Sequence, residues 1–357
     1  MGHKTPLYDE HVAASARMVD FGGWDMPLQY GSQLAEHEAV RSSSGMFDVS
    51  HMTVVDVTGA GATEYLRRVV ANDVARLTKP GKALYGCLLN DSAGIIDDLI
   101  VYFRGADNYR LVVNAATRDK DLAWLAATAN DSVTLVERAD LAMVAVQGPD
   151  ARQITAEVLG SADDLLAVRR FGFVEFSDSF IARTGYTGED GFEIILPSAD
   201  AAQLWRDLTN AGVAPCGLGA RDSLRLEAGL CLYGSDMDET TSPYESNLAW
   251  TVDTSDAGRD FIGRTALGDP SAAECFLTGL LLPAGGVLRG GQTVVTDVGK
   301  GTITSGSFAP TLKASVALAR LPTGTSSAEV IIRKKQLPVQ IVNPPFVRAG
   351  KATFAQT

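Results

Sequence analysis

From about residue 273 the helical periodicity of the earlier chain stops. Short strand-like runs follow at fairly even spacing: TGLLLP, QTVVTD, KGTITSG, ASVALARL, AEVIIR and LPVQIV. Glycine, valine, threonine and proline dominate this stretch. Short strands divided by turn residues at regular intervals pack as a barrel or a sandwich. The tail is therefore expected to be an all-β domain, and everything upstream must form its own cores.

Upstream, strand and helix periods mix. HMTVVDVTG (51–59) alternates like a strand, and GATEYLRRVVANDVARL (61–77) places Leu66, Val69, Val70 and Val74 on one side of a helix. KALYGCLLN and IIDDLIVYF read as strands separated by the turn Asn90-Asp91-Ser92-Ala93-Gly94. YRLVVN (109–114) is a further strand, and RDKDLAWLAATA (118–129) a further helix. A second unit starts at about 140, with the buried strand of LAMVAVQ, then Gly148-Pro149, then a helix. FGFVEF, FIARTGY and FEIILP add strands, while AAQLWRDLTNAG (201–212) and RDSLRLEAGL (221–230) add helices. The fold class is α+β with a C-terminal all-β domain. No solenoid period is present.

A length of 357 residues suits two or three domains, and 46% hydrophobic with 21% charged residues is an ordinary globular balance. The net charge of −12 argues against broad binding to nucleic acid or anionic membrane. Cys87, Cys216, Cys231 and Cys275 are widely spaced without a CxxC, and His3, His11, His37 and His51 form no HExxH pair. Reduced thiols and no metal site are expected. Cys87, inside the apolar run ALYGCLLN, reads as a packed thiol. Residues 1–12 lack the apolar segment of a signal peptide, and no apolar run approaches the ~20 residues of a spanning helix. Pro6 stands where an acylated Met-Gly start needs Ser or Thr. A cytoplasmic location is the expectation.

Phosphate-binding signatures are missing. GLGARD (217–222) has Asp in place of a third glycine, and LTKPGKAL does not satisfy GxxxxGK[ST]. Chemistry must be sought elsewhere, and RTGYTGEDGFE (183–193) is the strongest place. Its glycines exclude a helix interior. The run then becomes a strand, so a tight loop delivers Glu193 between Phe192 and Ile194. A carboxylate partly withdrawn from water needs a partner, and a planar ligand with two adjacent N–H donors suits it. The plain alternative is a turn followed by a solvated strand acid.

Asp97 and Asp98 are adjacent, yet strand geometry sends them to opposite faces. Asp98 shares its face with Ile96, Ile100 and Tyr102, whose ring would form an aromatic wall for a flat ligand. Asp97 shares the other with Ile95, Leu99 and Val101. One acid is expected to cap a turn or sit at a solvated strand end, and Asp98 is expected to be the functional one. Arg221, placed at the start of a helix, opposes the macrodipole there. It is either a surface residue or a cation awaiting an anionic partner.

Together these segments resemble the glycine cleavage T-protein family of tetrahydrofolate-dependent aminomethyltransferases. The resemblance runs nearly the whole length. It is carried by TPLYDEH (5–11), MVDFGGWDMPLQY (18–30), VRSSSGMFDVSHM (40–52), IIDDLIVY, LVVNAATRDKD (111–121), RTGYTGEDGFE, CGLGARDSLRLEAGLCLYGSDMDE (216–239), RDFIGR (259–264), ITSGSFAPTL (303–312) and PPFVRAGKA (344–352). The resemblance implies a three-domain cloverleaf around a central folate channel, with the first two domains interleaved: 1–52 with 140–225, then 53–139 with 226–272, then 273–357. It implies transfer of a carbon from the aminomethylated dihydrolipoyl arm of H protein to tetrahydrofolate, giving 5,10-methylenetetrahydrofolate and ammonia.

The family's catalytic acid maps to Asp98, its pterin-binding acid to Glu193 and its GLGARD arginine to Arg221. Tyr85, Tyr102, Asn114, Tyr186 and Met52 fall where the folate pocket is lined. Arg289, in GVLR, falls near the entrance of the lipoyl arm. No metal is implied. Two departures stand out. The turn before the acid pair is DSAG where many relatives have paired glycines, so Ala93 fits only with an ordinary backbone angle. The C-terminal domain also looks short around 290–301. A folate-dependent demethylase would keep Glu193 without needing H protein. A folate-binding iron–sulfur assembly factor would carry a KGCYxGQE-type cysteine motif, which RTGYTGEDGFE lacks.

Overall fold

A six-stranded sheet organises the first of two compact units in this computed structural model, which describes residues 2–354. That unit holds the chain up to Tyr65, Ala75–Leu84 and Leu99–Asp222, and the second holds Leu66–Val74, Tyr85–Asp98 and the chain from Ser223. The sheet runs in the order Phe173–Phe176, Ser179–Ala182, Gly191–Pro197, Leu141–Gln147, Gly45–Asp48, Ala214–Pro215. Only the last pairing is parallel. Phe192, Ile194 and Leu196 alternate onto one face and join Val144, Val146, Trp205 and Leu208 in a buried core. The helices Ala151–Leu159 and Ala201–Asn210 supply the other side of that core. Strand alternation therefore sends Glu193 to the opposite face, as the sequence pattern implies.

The first unit also pairs Thr53–Thr58 with Asn108–Val113 and Thr134–Glu137, all antiparallel. The hairpin Arg17–Phe21/Trp24–Gln29 turns at Gly22 and Gly23, with φ of 59° and 85°. That glycine pair is a hairpin signal missing from the expectations above.

Two expected helices are redrawn. The helix over 61–77 ends at Val69, and a short 3-10 turn follows at Val74–Arg76. Val70 instead bridges to Leu88, and the Asn72 side chain donates to the Tyr85 carbonyl at 2.8 Å. Asn and β-branched residues take such alternatives readily, which is why periodicity overran the helix. The helix expected at 221–230 spans Leu218–Glu227. Gly219 reads as a breaker, but a Cβ there would sit 2.4 Å from the Gln33 side chain, so the glycine permits close packing inside the helix. Arg221 is consequently one turn in, and the expected conflict with the helix start falls away.

In the second unit the C-terminal strands form a closed barrel: Cys275–Leu282, Ala314–Pro322, Lys300–Ala309, Thr293–Thr296, Ala328–Ile332 and Lys335–Val342, which returns to the first strand. Each expected run lies on one of these strands. Leu280, Val294, Ile303, Ala317, Leu321 and Val330 fill the interior. Closure removes the exposed edges that a sandwich would leave. The compact 290–301 segment is a barrel hairpin, its turn held by Thr296 and Gly299.

A separate core in this unit gathers Cys87, Leu89, Ala93, Ile95, Met237, Leu248 and Phe261. Cys87 is fully buried there, a packed thiol as read. Ala93 departs from expectation. Its φ is +65°, the left-handed region that favours glycine, so the DSAG turn is strained.

Candidate functional site

Gln147, on the strand Leu141–Gln147, organises the glycine loop. Its amide donates to the Thr184 carbonyl at 3.1 Å, and its oxygen accepts from the Thr187 hydroxyl at 3.0 Å. A Cβ at Gly185 would lie 1.9 Å from that amide oxygen, so only glycine allows the chain to pass. Gly188 takes φ +80°. Outside the turn, Arg183 forks onto Asp190, and Arg41 joins the Thr187 carbonyl to Glu189. The loop is thus pinned at both ends and through its middle before the strand Gly191–Pro197 begins.

Glu193 follows two residues into that strand and is 6% exposed. Its cross-strand neighbours are Ala182 and Ala145, whose small side chains leave room above the carboxylate. One carboxylate oxygen, Oε2, accepts from the Thr184 hydroxyl at 2.6 Å. Burial pushes the acid above the ordinary glutamate range, while the Thr184 bond and the charge of Arg221 pull it back. The solvated-acid alternative is therefore excluded. Arg221 lies over the Tyr186 ring at 4.9 Å, and its Nη1 is buried without a hydrogen-bond partner. Burial depresses this guanidinium, and Glu193 and Tyr186 favour its charge. It is not the surface arginine of the plain reading.

His51 belongs to this charge environment and was not expected. It is buried, its Nδ1 has no partner, and its ring meets Phe21 edge-on at 5.6 Å. Burial first, and Arg221 beside it, push His51 down to about 4, against the opposing pull of Asp48. It is neutral at pH 7. Asp48 also accepts from the Ser50 amide at 2.9 Å, fixing the turn that carries His51 and Met52.

The second cluster is built in the other unit. The Tyr85 hydroxyl donates to Asp98 Oδ2 at 2.9 Å. Burial and then the Asp98 charge raise the phenol well above its ordinary range, so it stays a donor. Trp250 stacks on Tyr85 at 5.5 Å with 63% of its surface exposed. Neither acid of the pair is exposed to solvent. Asp97 is fully buried and Asp98 partly buried. Asn90 caps the turn before the pair, its Oδ1 accepting from the amides of Ser92 and Gly94 at 2.9 Å each.

Comparison with known proteins gives this pair of clusters its context. Residues 7–256 match the family model described as GCVT N-terminal domain, and 277–348 match the glycine cleavage T-protein C-terminal barrel domain. The chain belongs to the glycine cleavage T-protein family. Relatives named aminomethyltransferase include one from Alcanivorax borkumensis, 56% identical over 100% of both chains. Another, from Bordetella petrii, is 57% identical over 98% of this chain and 97% of its own. The crystal structure of glycine cleavage system aminomethyltransferase T from Bartonella henselae aligns with a TM-score of 0.91 at 35% identity, covering 98% of this chain and 99% of that one.

The other family positions can now be placed. Tyr186 lies beneath Arg221, and Met52 is partly buried in the turn after Asp48. Asn114 is partly buried, with its carbonyl accepting from Thr117. Arg289 is exposed on the loop after the first barrel strand, its amide donating to Gln292. Tyr102 corrects an expectation. It is fully buried, so its ring offers a ligand no open face, and its hydroxyl instead reaches Thr184 at 3.3 Å. Among the described residues no acidic, histidine or cysteine group is arranged to hold a metal. An orphaned buried guanidinium nitrogen beside a buried carboxylate calls for a ligand with paired donors and an acceptor, and a pterin ring presents both.

Proposed function

We propose that this aminomethyltransferase takes the aminomethyl group from the dihydrolipoyl arm of H protein and passes its carbon to tetrahydrofolate. The products are 5,10-methylenetetrahydrofolate, ammonia and the free dihydrolipoyl arm. The observation that carries the folate part is Glu193, buried between two alanines beside the unpartnered Nη1 of Arg221. Glu193 accepts the pterin amino group and the adjacent ring N–H, and Arg221 donates to an acceptor of the same ring. Tyr186, Met52 and Asn114 line the pocket in this reading, and Tyr102 supports it from behind.

Tetrahydrofolate supplies the ring nitrogens that take up the carbon. Asp98 acts on the reacting centre. Positive charge develops on the carbon as ammonia departs, and a carboxylate held in place by Tyr85 stabilises it without reorganising. In this reading the same carboxylate takes a proton from the attacking nitrogen. Arg289 guides the arm's entry. Among the described residues no helix is long and apolar enough to cross a membrane. The proposal keeps the cytoplasmic location and the three-domain division given above.

The test is ammonia release from aminomethylated H protein, with and without tetrahydrofolate. Strong stimulation by tetrahydrofolate is expected. Free aminomethyl-lipoamide should be a poor donor, because it lacks the docking that raises local concentration. Equal turnover of free and protein-bound donors would favour the demethylase-type alternative.

A further inference from the structure

A threonine hydroxyl carries one hydrogen. Thr184 donates its own to Glu193 Oε2 at 2.6 Å, so the Tyr102 hydroxyl, 3.3 Å from Thr184 Oγ1, must be the donor in that second bond. The order is Tyr102 to Thr184 to Glu193, each group giving its proton forward. Both donors are held from outside the relay. Tyr102 is wholly buried, with Phe173 and Phe180 packed edge-on against its ring at 5.7 and 5.0 Å. The Thr184 backbone is tied by Gln147. The direction cannot reverse while Glu193 is ionised, because a carboxylate only accepts.

We infer that Thr184 and Tyr102 are positioning residues for tetrahydrofolate, a one-way hydrogen-bond relay that sets the plane and the charge of Glu193. The inference rests on the folate reading of this pocket. With Oε2 anchored to Thr184, rotation of the carboxylate is restricted, and its cross-strand neighbours Ala145 and Ala182 are small. The site is then pre-set to accept, and it selects a ring edge that shows two donors. The relay also opposes the effect of burial on Glu193, together with Arg221, the charged group that acts on it. Tyr102, the other titratable neighbour, stays protonated because burial raises it. His51, neutral at pH 7, adds no charge.

The test has two arms on the full chain. In the first, the Glu193 side chain is followed by carbon-13 NMR against pH without ligand, its signal assigned by its loss in Glu193→Gln. Thr184→Val should raise the midpoint by about one pH unit, with a smaller rise for Tyr102→Phe, and Thr184→Ser should restore it. In the second, tetrahydrofolate affinity at pH 6 should fall about tenfold in Thr184→Val and stay within about threefold of wild type in Thr184→Ser. An unmoved midpoint in Thr184→Val, or equal damage from Val and Ser, would overturn the relay. Should Thr184→Val fail to fold, an unmoved midpoint in Tyr102→Phe would overturn it alone. A midpoint that moves as expected in a protein that never binds tetrahydrofolate keeps the relay and removes the folate reading.

Discussion

Glu193 and Asp98 are both strand carboxylates set among apolar neighbours, yet their surroundings differ in kind. Glu193 is almost sealed, anchored by a threonine hydroxyl, and lies in the field of a partly buried cation whose Nη1 is buried and unpartnered. Asp98 is partly open, held by a phenol, and that phenol stacks under an exposed tryptophan. A sealed carboxylate beside a fixed cation suits a neutral, donor-rich ring that must be oriented. A partly open carboxylate held by a protonated phenol suits charge that appears only during reaction. Under the proposed function, the two sites divide the work between binding and chemistry.

The largest expected effect breaks the chemical half. Asp98→Asn keeps shape and removes charge, and ammonia release should fall on the order of 100- to 1000-fold. Near-normal turnover would take Asp98 out of the reaction. Asp97→Asn, on the opposite strand face, should cost turnover less; the reverse ranking would exchange their roles. Glu193→Gln attacks the binding half. It places an amide N–H₂ against the pterin donors and should cost roughly 2–4 kcal/mol of tetrahydrofolate affinity by calorimetry. An unchanged affinity would put Glu193 outside the pterin site.

Acidity sharpens the same contrast. Binding to an ionised Glu193 weakens as the carboxylate takes a proton. Its midpoint is raised above the ordinary 4.5, so affinity should begin to fall at a higher pH than for an exposed glutamate. Below that midpoint the loss should approach tenfold per pH unit. His51, pushed down to about 4, should add nothing between pH 5 and 8.

Much of this contrast was legible in the chain. Strand alternation put Phe192 and Ile194 on one face and Glu193 on the other, and the even spacing after residue 273 announced the barrel. What was hidden depends on contacts distant in sequence. Nothing around Tyr102 says that Phe173 and Phe180 will bury it. Nothing around His51 says that Arg221 will share its surroundings. The helix holding Arg221 starts earlier than expected because Gly219 serves packing, which is visible only once Gln33 is in place. The discontinuity of the two units has the same origin, since local periodicity carries no information on which segments meet.

Smaller effects test the supports of each half. Arg289→Ala should raise the KM for H protein severalfold and leave tetrahydrofolate affinity nearly unchanged; the opposite pattern would move Arg289 into the folate site. Ala93→Gly, in the turn before the acid pair, should relieve the strain of φ +65° and give about 0.5–1 kcal/mol. Loss of the buried methyl and a looser unfolded chain subtract from that gain. The thermal midpoint reads the net sign, and a clear destabilisation would mean that packing outweighs strain there.

The division of labour itself is tested most directly by the tetrahydrofolate affinity of Asp98→Asn, measured by calorimetry on the same preparation that fails to release ammonia. The expected dissociation constant lies within about threefold of wild type, because the proposed function assigns the pterin contacts to Glu193 and Arg221. A loss of affinity as large as that of Glu193→Gln would contradict the account, and would make Asp98 part of the folate-binding site instead of the residue that serves the reaction.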